Sequence, residues 1–312
     1  NQLQQEISRV SANTRYNGTQ ILNGSFSAKS LQVGIMSGED INFSIDTVEA
    51  SLLGTFVITS PALVPNGVNN TAYASTNNGI DGDDVTIVGN GNTRTVTIET
   101  SDTAKAAATK INAVAGATTV FAQARTAALL RSSSSTDLSY TVKINNVETA
   151  AFTLSSAGVT DAVTKINAIT ASTGVMAAAT TDGKVLLSDS NGDDITIENT
   201  STQTTLFVAA VENDGKTTAA AGGEDNLLAS GGTDLTTISG TIRLTSTEGF
   251  TITQATAVGA GASFFTDGEV AATLSSVSSI AVTDTIGASD ALAIIDGALD
   301  TVSAMRGSLG TL

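Results

Sequence analysis

The sequence predicts an α+β protein: a helical stem formed by both chain ends plus a β-hairpin, and a large β-rich insert containing short helices. Three observations carry this reading. Apolar residues recur at helical spacing near each end, the interior alternates Thr with Ile or Val between Gly, Asn and Asp turns, and one interior stretch repeats 55 positions later. Residues 1-55 and 285-312 then form a discontinuous stem and 56-284 an outer insert, with internal repeats at about 83-137 and 138-199 and a partial unit at about 238-265.

The first thirteen residues read as helix because Leu3, Ile7 and Val10 lie four and three apart, one stripe on a period of 3.6. Asn17-Gly18 and Asn23-Gly24 follow, dipeptides that accept positive φ and so mark turns. Residues 30–35 and 40–45 alternate as two strands joined through Ser37-Gly38-Glu39, a hairpin. At the other end, Leu292, Ile295, Leu299, Val302, Met305 and Leu309 recur at threes and fours, close to a heptad seam, with Ser289 or Asp290 as N-cap. This stripe is expected to pack on Leu3, Ile7 and Val10 and on neighbouring copies, because so few elements make a thin core.

Within the insert, Thr109-Lys110-Ile111-Asn112-Ala113 recurs as Thr164-Lys165-Ile166-Asn167-Ala168. The register extends back to Val85-Thr86-Ile87 against Tyr140-Thr141-Val142 and forward to Ile195-Thr196-Ile197. Each unit reads as hairpin, short helix and strand, a duplicated β-α element. The helices are expected near 102–114 and 160–169, capped by Ser101 and by Ser156 or Thr160. A half-unit appears in the shared interval from Gly183 to Gly192 and from Gly240 to Gly249. Pro61 and Pro65 stand where a linker into the insert is expected.

Composition narrows the chemistry. The chain has no His, Cys or Trp, which excludes Ser/His and Cys/His nucleophiles, zinc sites and disulfides. A net charge of −16 argues against nucleic acid and anionic membranes, and no apolar run is long enough to cross a bilayer. The opening at Asn1, with no charged-then-apolar leader, reads as a fragment of a longer chain.

Catalytic and cofactor-binding residues are therefore expected to be none. The weak metal candidates are Asp81, Asp83 and Asp84, echoed by Asp193 and Asp194, carboxylates on Gly-containing loops that could hold calcium. The alternative reading of both is a β-turn. Gly222-Gly223 and Gly231-Gly232 match no phosphate-binding loop and read as loops. Scarce aromatics argue against a glycosidase. Asn-x-Ser/Thr triplets at Asn17, Asn23, Asn42, Asn69 and Asn199 arise readily in so Asn- and Thr-rich a chain.

The segment Leu3-Gln4-Gln5-Glu6-Ile7-Ser8-Arg9-Val10, then Thr14-Arg15-Tyr16-Asn17-Gly18, then Ile21-Leu22-Asn23-Gly24, resembles the stem of bacterial flagellins, with Tyr16 in place of the usual Phe. Leu31-Gln32-Val33-Gly34 is similar to the first strand of the hairpin that follows there. Ile286-Gly287-Ala288 through Arg306-Gly307-Ser308-Leu309-Gly310 looks like the start of that family's carboxy-terminal stem helix, and the Ile-Asn units resemble the IN motif of flagellin inserts. The resemblance implies an extracellular filament subunit serving motility, secreted without a cleaved leader, whose stem residues Tyr16, Asn17, Gly18, Asn23 and Gly24 hold the turns. It also implies that the terminal coiled-coil segments lie outside this chain, so that other copies of itself are partners only when those segments are present. Two alternatives stand beside it: a cell-surface adhesin binding glycans through the insert, and a hook-associated junction protein.

Overall fold

The computed structural model describes residues 2–33, 35–36, 39–63, 66–67, 78–218, 224–227, 235–255, 263–283 and 285–310. Helix and sheet are both prominent, as an α+β chain requires. The helices are α1 (Gln2–Asn13), α2 (Ala104–Asn112), α3 (Ala115–Thr118), α4 (Thr160–Asn167), α5 (Thr170–Thr173) and α6 (Thr285–Gly310). Two compact units divide the chain. The first takes Asn1–Val57, Thr245–Gly249 and Ala272–Leu312, and the second Ile58–Leu244 and Phe250–Ala271.

In the first unit, α1 is fastened at its far end. The fully buried Ser11 donates its hydroxyl to the Leu22 carbonyl at 2.7 Å, and the Gln20 amide donates to Ala12 O at 2.6 Å. Strands Arg15–Tyr16 and Thr19–Gln20 pair across Asn17 and Gly18, whose φ values of 48° and 80° make the turn that an Asn-Gly pair favours. Asn23 accepts from the backbone N–H of Ser25 at 3.1 Å, and Gly24 follows at φ 78°, so this second pair also turns the chain. The hairpin is present as Lys29–Gln32 against Asp40–Phe43, antiparallel; Ser37 and Gly38 lie outside the described residues.

Helix α6 differs from expectation in two ways. It begins at Thr285, so Ser289 and Asp290 lie inside it rather than capping it. Gly287 near its start costs only about 1 kcal/mol, less than the packing further along returns. Its buried side is formed by Ala291, Ile294, Gly297 and Ala298, not by Leu292, Ile295 and Leu299, which are exposed. The two stripes are offset by one residue, about 100° of rotation. Small residues win the inner side because the helix lies close to a strand: a Cβ on Gly297 would stand 3.0 Å from Thr55 Cβ and 3.1 Å from Gly54 O. That strand, Gly54–Thr59, pairs through its first four residues antiparallel with Thr273–Ser276, and a Cβ on Gly54 would meet Ser275 O at 2.1 Å.

The second unit holds most of the core, with Tyr140, Phe152, Leu154, Ile166, Leu187, Ile195, Ile197 and Leu206 almost wholly buried. One five-stranded sheet runs in the order Val147–Glu148, Val142–Ile144, Ile195–Asn199, Leu235–Ile238 and Asn66–Gly67. A four-stranded sheet runs Gly268–Ala271, Thr251–Gln254, Asp83–Gly89 and Asn92–Ile98. The long strand Phe121–Ser132 pairs antiparallel with Val185–Asp189 and with Leu206–Ala210.

The duplicated unit survives in atomic detail. Asn90-Gly91 turns the first hairpin at φ 49° and 67°, and Asn145-Asn146 turns the second at 49° and 66°, 55 positions on. Ile111 and Ile166 are both fully buried. Asn112 donates its amide to Ala122 O at 2.9 Å and accepts from Ala122 N at 2.8 Å; Asn167 makes the same pair with Ala177 at 2.9 and 2.8 Å. The side-chain amide thus imitates a strand partner for the first residues of the next strand. Each anticipated helix is split in two, α2 with α3 and α4 with α5, and the second of each pair ends on a left-handed residue, Thr119 or Gly174.

The helix caps differ from expectation. Thr103 caps α2 by accepting from Ala106 N, because Ser101 sits at φ 65°, a conformation unlike the extended one an N-cap needs. Val159 precedes α4 without a side-chain cap, while Ser156 N donates to Ser134 O. Pro61 is exposed beyond the strand Gly54–Thr59, and Pro65 lies outside the described residues, as do Asn69 and both Gly-Gly pairs.

Candidate assembly surface

Large apolar side chains that remain in water are unevenly distributed. Of the sixteen that are exposed among the described residues, thirteen belong to the first unit; Val88, Phe121 and Met176 are those of the second. Leu3 is 81% exposed, Leu292 60% and Leu299 59%, with Val10, Tyr16, Ile295 and Leu309 exposed as well. Ile7, Val302 and Met305 are half-buried. Asn17, Gly18 and Gly24 are exposed in their turns and Asn23 is half-buried.

The hairpin adds Val33, Ile35, Met36 and Ile41, with Ile35 98% exposed. Sequence reasoning placed this hairpin but missed its apolar tip, although the run Val33-Gly34-Ile35-Met36 beside a Ser-Gly turn signalled it. Below the tip, the rings of Phe26 and Phe43 meet at 5.6 Å and the Lys29 ammonium lies 5.7 Å from the Phe26 centroid. Those contacts lie at the base of the hairpin.

The acidic candidates serve other purposes. Asp83 is buried and accepts from the Ser263 hydroxyl, and Asp84 points to solvent from the same strand. Asp193 pairs with the Lys105 ammonium at 2.6 Å. Asp189 accepts from Asn191 N, Ser190 and Asn191 form a turn, and Gly192 adopts φ 80° in the irregular segment that leads into the strand at Ile195. Among the described residues no group of three or more His, Cys, Asp or Glu side chains is placed to hold a metal ion, and Asp83 and Asp84 open the strand Asp83–Gly89 rather than lying in a turn. No described helix is long and apolar enough to cross a membrane.

This is a mixed α+β chain with repeated hairpin–helix–strand units in one compact body and an exposed apolar surface gathered in the other. Protein-family models match none of it. It is nevertheless 31% identical over 320 residues to the B-type flagellin of Pseudomonas aeruginosa, a similarity that covers 99% of this chain and 62% of that protein. The chain is a flagellin-family protein, and it spans less than two thirds of the length of the curated relative it matches.

Proposed function

We propose that this chain is the larger part of a structural subunit of a bacterial flagellar filament, extracellular and serving motility rather than catalysis. In this reading residues 1-55 and 285-312 are the stem and 56-284 the outward variable insert. The stem turns are held by Asn17, Gly18, Asn23 and Gly24. The observation that carries the proposal is the crowding of exposed apolar side chains into the first unit, above all Leu292, Ile295 and Leu299 beside a helix face that is already packed. Exposed apolar surface on this scale marks association rather than a monomer's ordinary surface. The partner is another copy of the chain, which the flagellin relationship supports.

The test is assembly of the natural full-length polypeptide, followed by sedimentation and electron microscopy. A Leu292→Ser, Leu299→Ser double variant should keep its circular dichroism and melting temperature, because both side chains already face water. It should assemble at least ~10-fold less, since losing two apolar contacts from an interface removes well over 1.4 kcal/mol. Filaments from the variant equal to those of the parent would sink the proposal.

A further inference from the structure

The hairpins and their Ile-Asn helices recur at 55 positions, but the interval from Gly183 to Gly192 returns 57 positions on, from Gly240 to Gly249. The pairing of the strands explains this later half-unit. In the contiguous copy, Val142–Ile144 pairs with Val147–Glu148, α4 and α5 follow, and Met176–Ala179 pairs antiparallel with Val185–Asp189. Its last strand, Ile195–Asn199, then returns to pair antiparallel with Val142–Ile144, which closes the copy. The first copy has the hairpin Asp83–Gly89 with Asn92–Ile98, then α2, α3 and the strand from Phe121. Its closing strand is far away in sequence. Thr241–Ser246 lies beside Phe121–Ser132, and Thr251–Gln254 pairs antiparallel with residues 85–88 of the hairpin. Taking equivalent residues, this closing pair is displaced by four positions from its twin. An even displacement keeps the same face inward, so Ile87 and Ile252 are buried like Ile144 and Ile197.

The point of interruption is equally specific. In the contiguous copy a tight turn joins the two strands: Thr180 N donates to Lys184 O and Lys184 N to Thr180 Oγ1, both at 2.9 Å, around Gly183 at φ 76°. The equivalents of Thr180 and Lys184 are Arg125 and Thr241. Thr241 Oγ1 donates to Arg125 O at 3.4 Å, and a Cβ on Gly240 would stand 2.5 Å from Thr126 Oγ1. The chain therefore comes back to the place it left, and the whole contiguous copy lies in between. The cores divide in the same way. Ile144, Ile166, Leu187 and Ile197 share one cluster with Ala128, Leu130 and Leu206. Ile87, Ile111, Ile242 and Ile252 are as deeply buried but stand outside that cluster. The copies meet along the strand Phe121–Ser132, whose residues Thr126–Leu130 pair with Val185–Asp189.

We propose that residues 83–126 and 240–254 are one split module, and that residues 127–239 are a second module of the same design inserted at the first one's strand turn. A domain whose ends lie close together can enter another without separating the host's strands. The two modules then form separate cooperative units, each opening around its own core. The inserted module can change its outer surface while the host keeps its hairpin, its Ile-Asn helix and its closing strand.

The experiment is native-state hydrogen exchange of the intact chain in rising urea, reading the amides of Ile111, Ile252, Ile166 and Ile197. Ile111 and Ile252 should follow one urea dependence and Ile166 and Ile197 another, although Ile111 lies nearer to Ile166 in sequence than to Ile252. Ile252→Ala should speed exchange at Ile111 at least ~10-fold and leave Ile166 unchanged, because emptying a core site loosens the unit around it. Ile197→Ala should do the reverse. One urea dependence for all four amides, or an Ile252→Ala effect at Ile166 equal to that at Ile111, overturns the proposal. If neither variant folds, the parent's exchange decides alone.

Discussion

The paired hydrogen bonds of Asn112 and Asn167 allow a sharp comparison, because one piece of chemistry occurs twice in two surroundings. Replacing Asn167 with Ala removes the bonds to Ala177 O and from Ala177 N, at 2.9 and 2.8 Å. Ala177 is 7% exposed, so water reaches its freed N–H and C=O poorly. Two net hydrogen bonds at about 1 kcal/mol each, plus part of the cost of stranding backbone groups, give roughly 2–4 kcal/mol. The equivalent change at Asn112 removes bonds of the same lengths, but Ala122 is half-buried and water can take over. That loss should be about 1–2 kcal/mol. The assay is hydrogen exchange on the intact chain, reading the Ala177 and Ala122 amides, supported by urea unfolding. Asn167→Ala should speed exchange at Ala177 by ~30-fold or more, since each 1.4 kcal/mol is tenfold. Asn167→Asp, which keeps the acceptor for Ala177 N–H, should fall between parent and Ala. If Asn112→Ala proves the costlier of the two, or Ala177 exchange does not change, the side chain is not acting as a strand partner.

Glycine positions separate crowding from conformational freedom. Gly54→Ala, whose Cβ would collide with the Ser275 carbonyl, should destabilise the first unit by about 3 kcal/mol in thermal unfolding, whereas Gly307→Ala, in open space on α6, should stabilise by about 0.5–1 kcal/mol. Ser11→Ala removes one of two hydrogen bonds to the Leu22 carbonyl, which keeps that from Val48 N–H, and should cost about 1 kcal/mol, visible as faster exchange in α1. The Arg131 guanidinium is paired with Glu224, stacks 4.3 Å from the Phe207 centroid, and by its hydrogen bond holds the Glu224 carboxyl below its usual range. That contribution is present above the unfolded carboxylate value and is lost as the pH falls through the lower folded one, so Arg131→Met should flatten the acid limb of the stability curve.

Local patterns were legible where one interaction decided them. Asn17-Gly18 fixed its turn, the hairpin followed from alternation, and the 55-residue recurrence of Ile-Asn coincides with a recurrence of the Asn112–Ala122 and Asn167–Ala177 hydrogen bonds. The buried face of α6 was not legible, because large side chains dominate any periodicity while close approach to Gly54 requires a small residue at Gly297, on the same buried side as Ala291 and Ala298. The strand Leu206–Ala210 was missed because it is apolar almost throughout and shows no alternation. Long-range partners were equally hidden: Ser60 N donates to Ile242 O and Ile242 N to Ser60 Oγ, both at 2.8 Å and 182 positions apart. Nothing near either residue announces the other.

The Asn clamp has a consequence for how such chains change length. Its donor and acceptors lie ten positions apart, and the hairpin turn, split helix and left-handed cap that accompany it fall within the same 55 residues. A copied segment therefore arrives with its own turn chemistry and its own partner for the strand it begins. The unit is not self-sufficient, because the strand that the first clamp begins, Phe121–Ser132, pairs with Val185–Asp189 of the second, and losing either unit leaves the other's strand without that partner. A 55-residue block therefore carries its own turn and clamp but borrows part of its sheet from its neighbour.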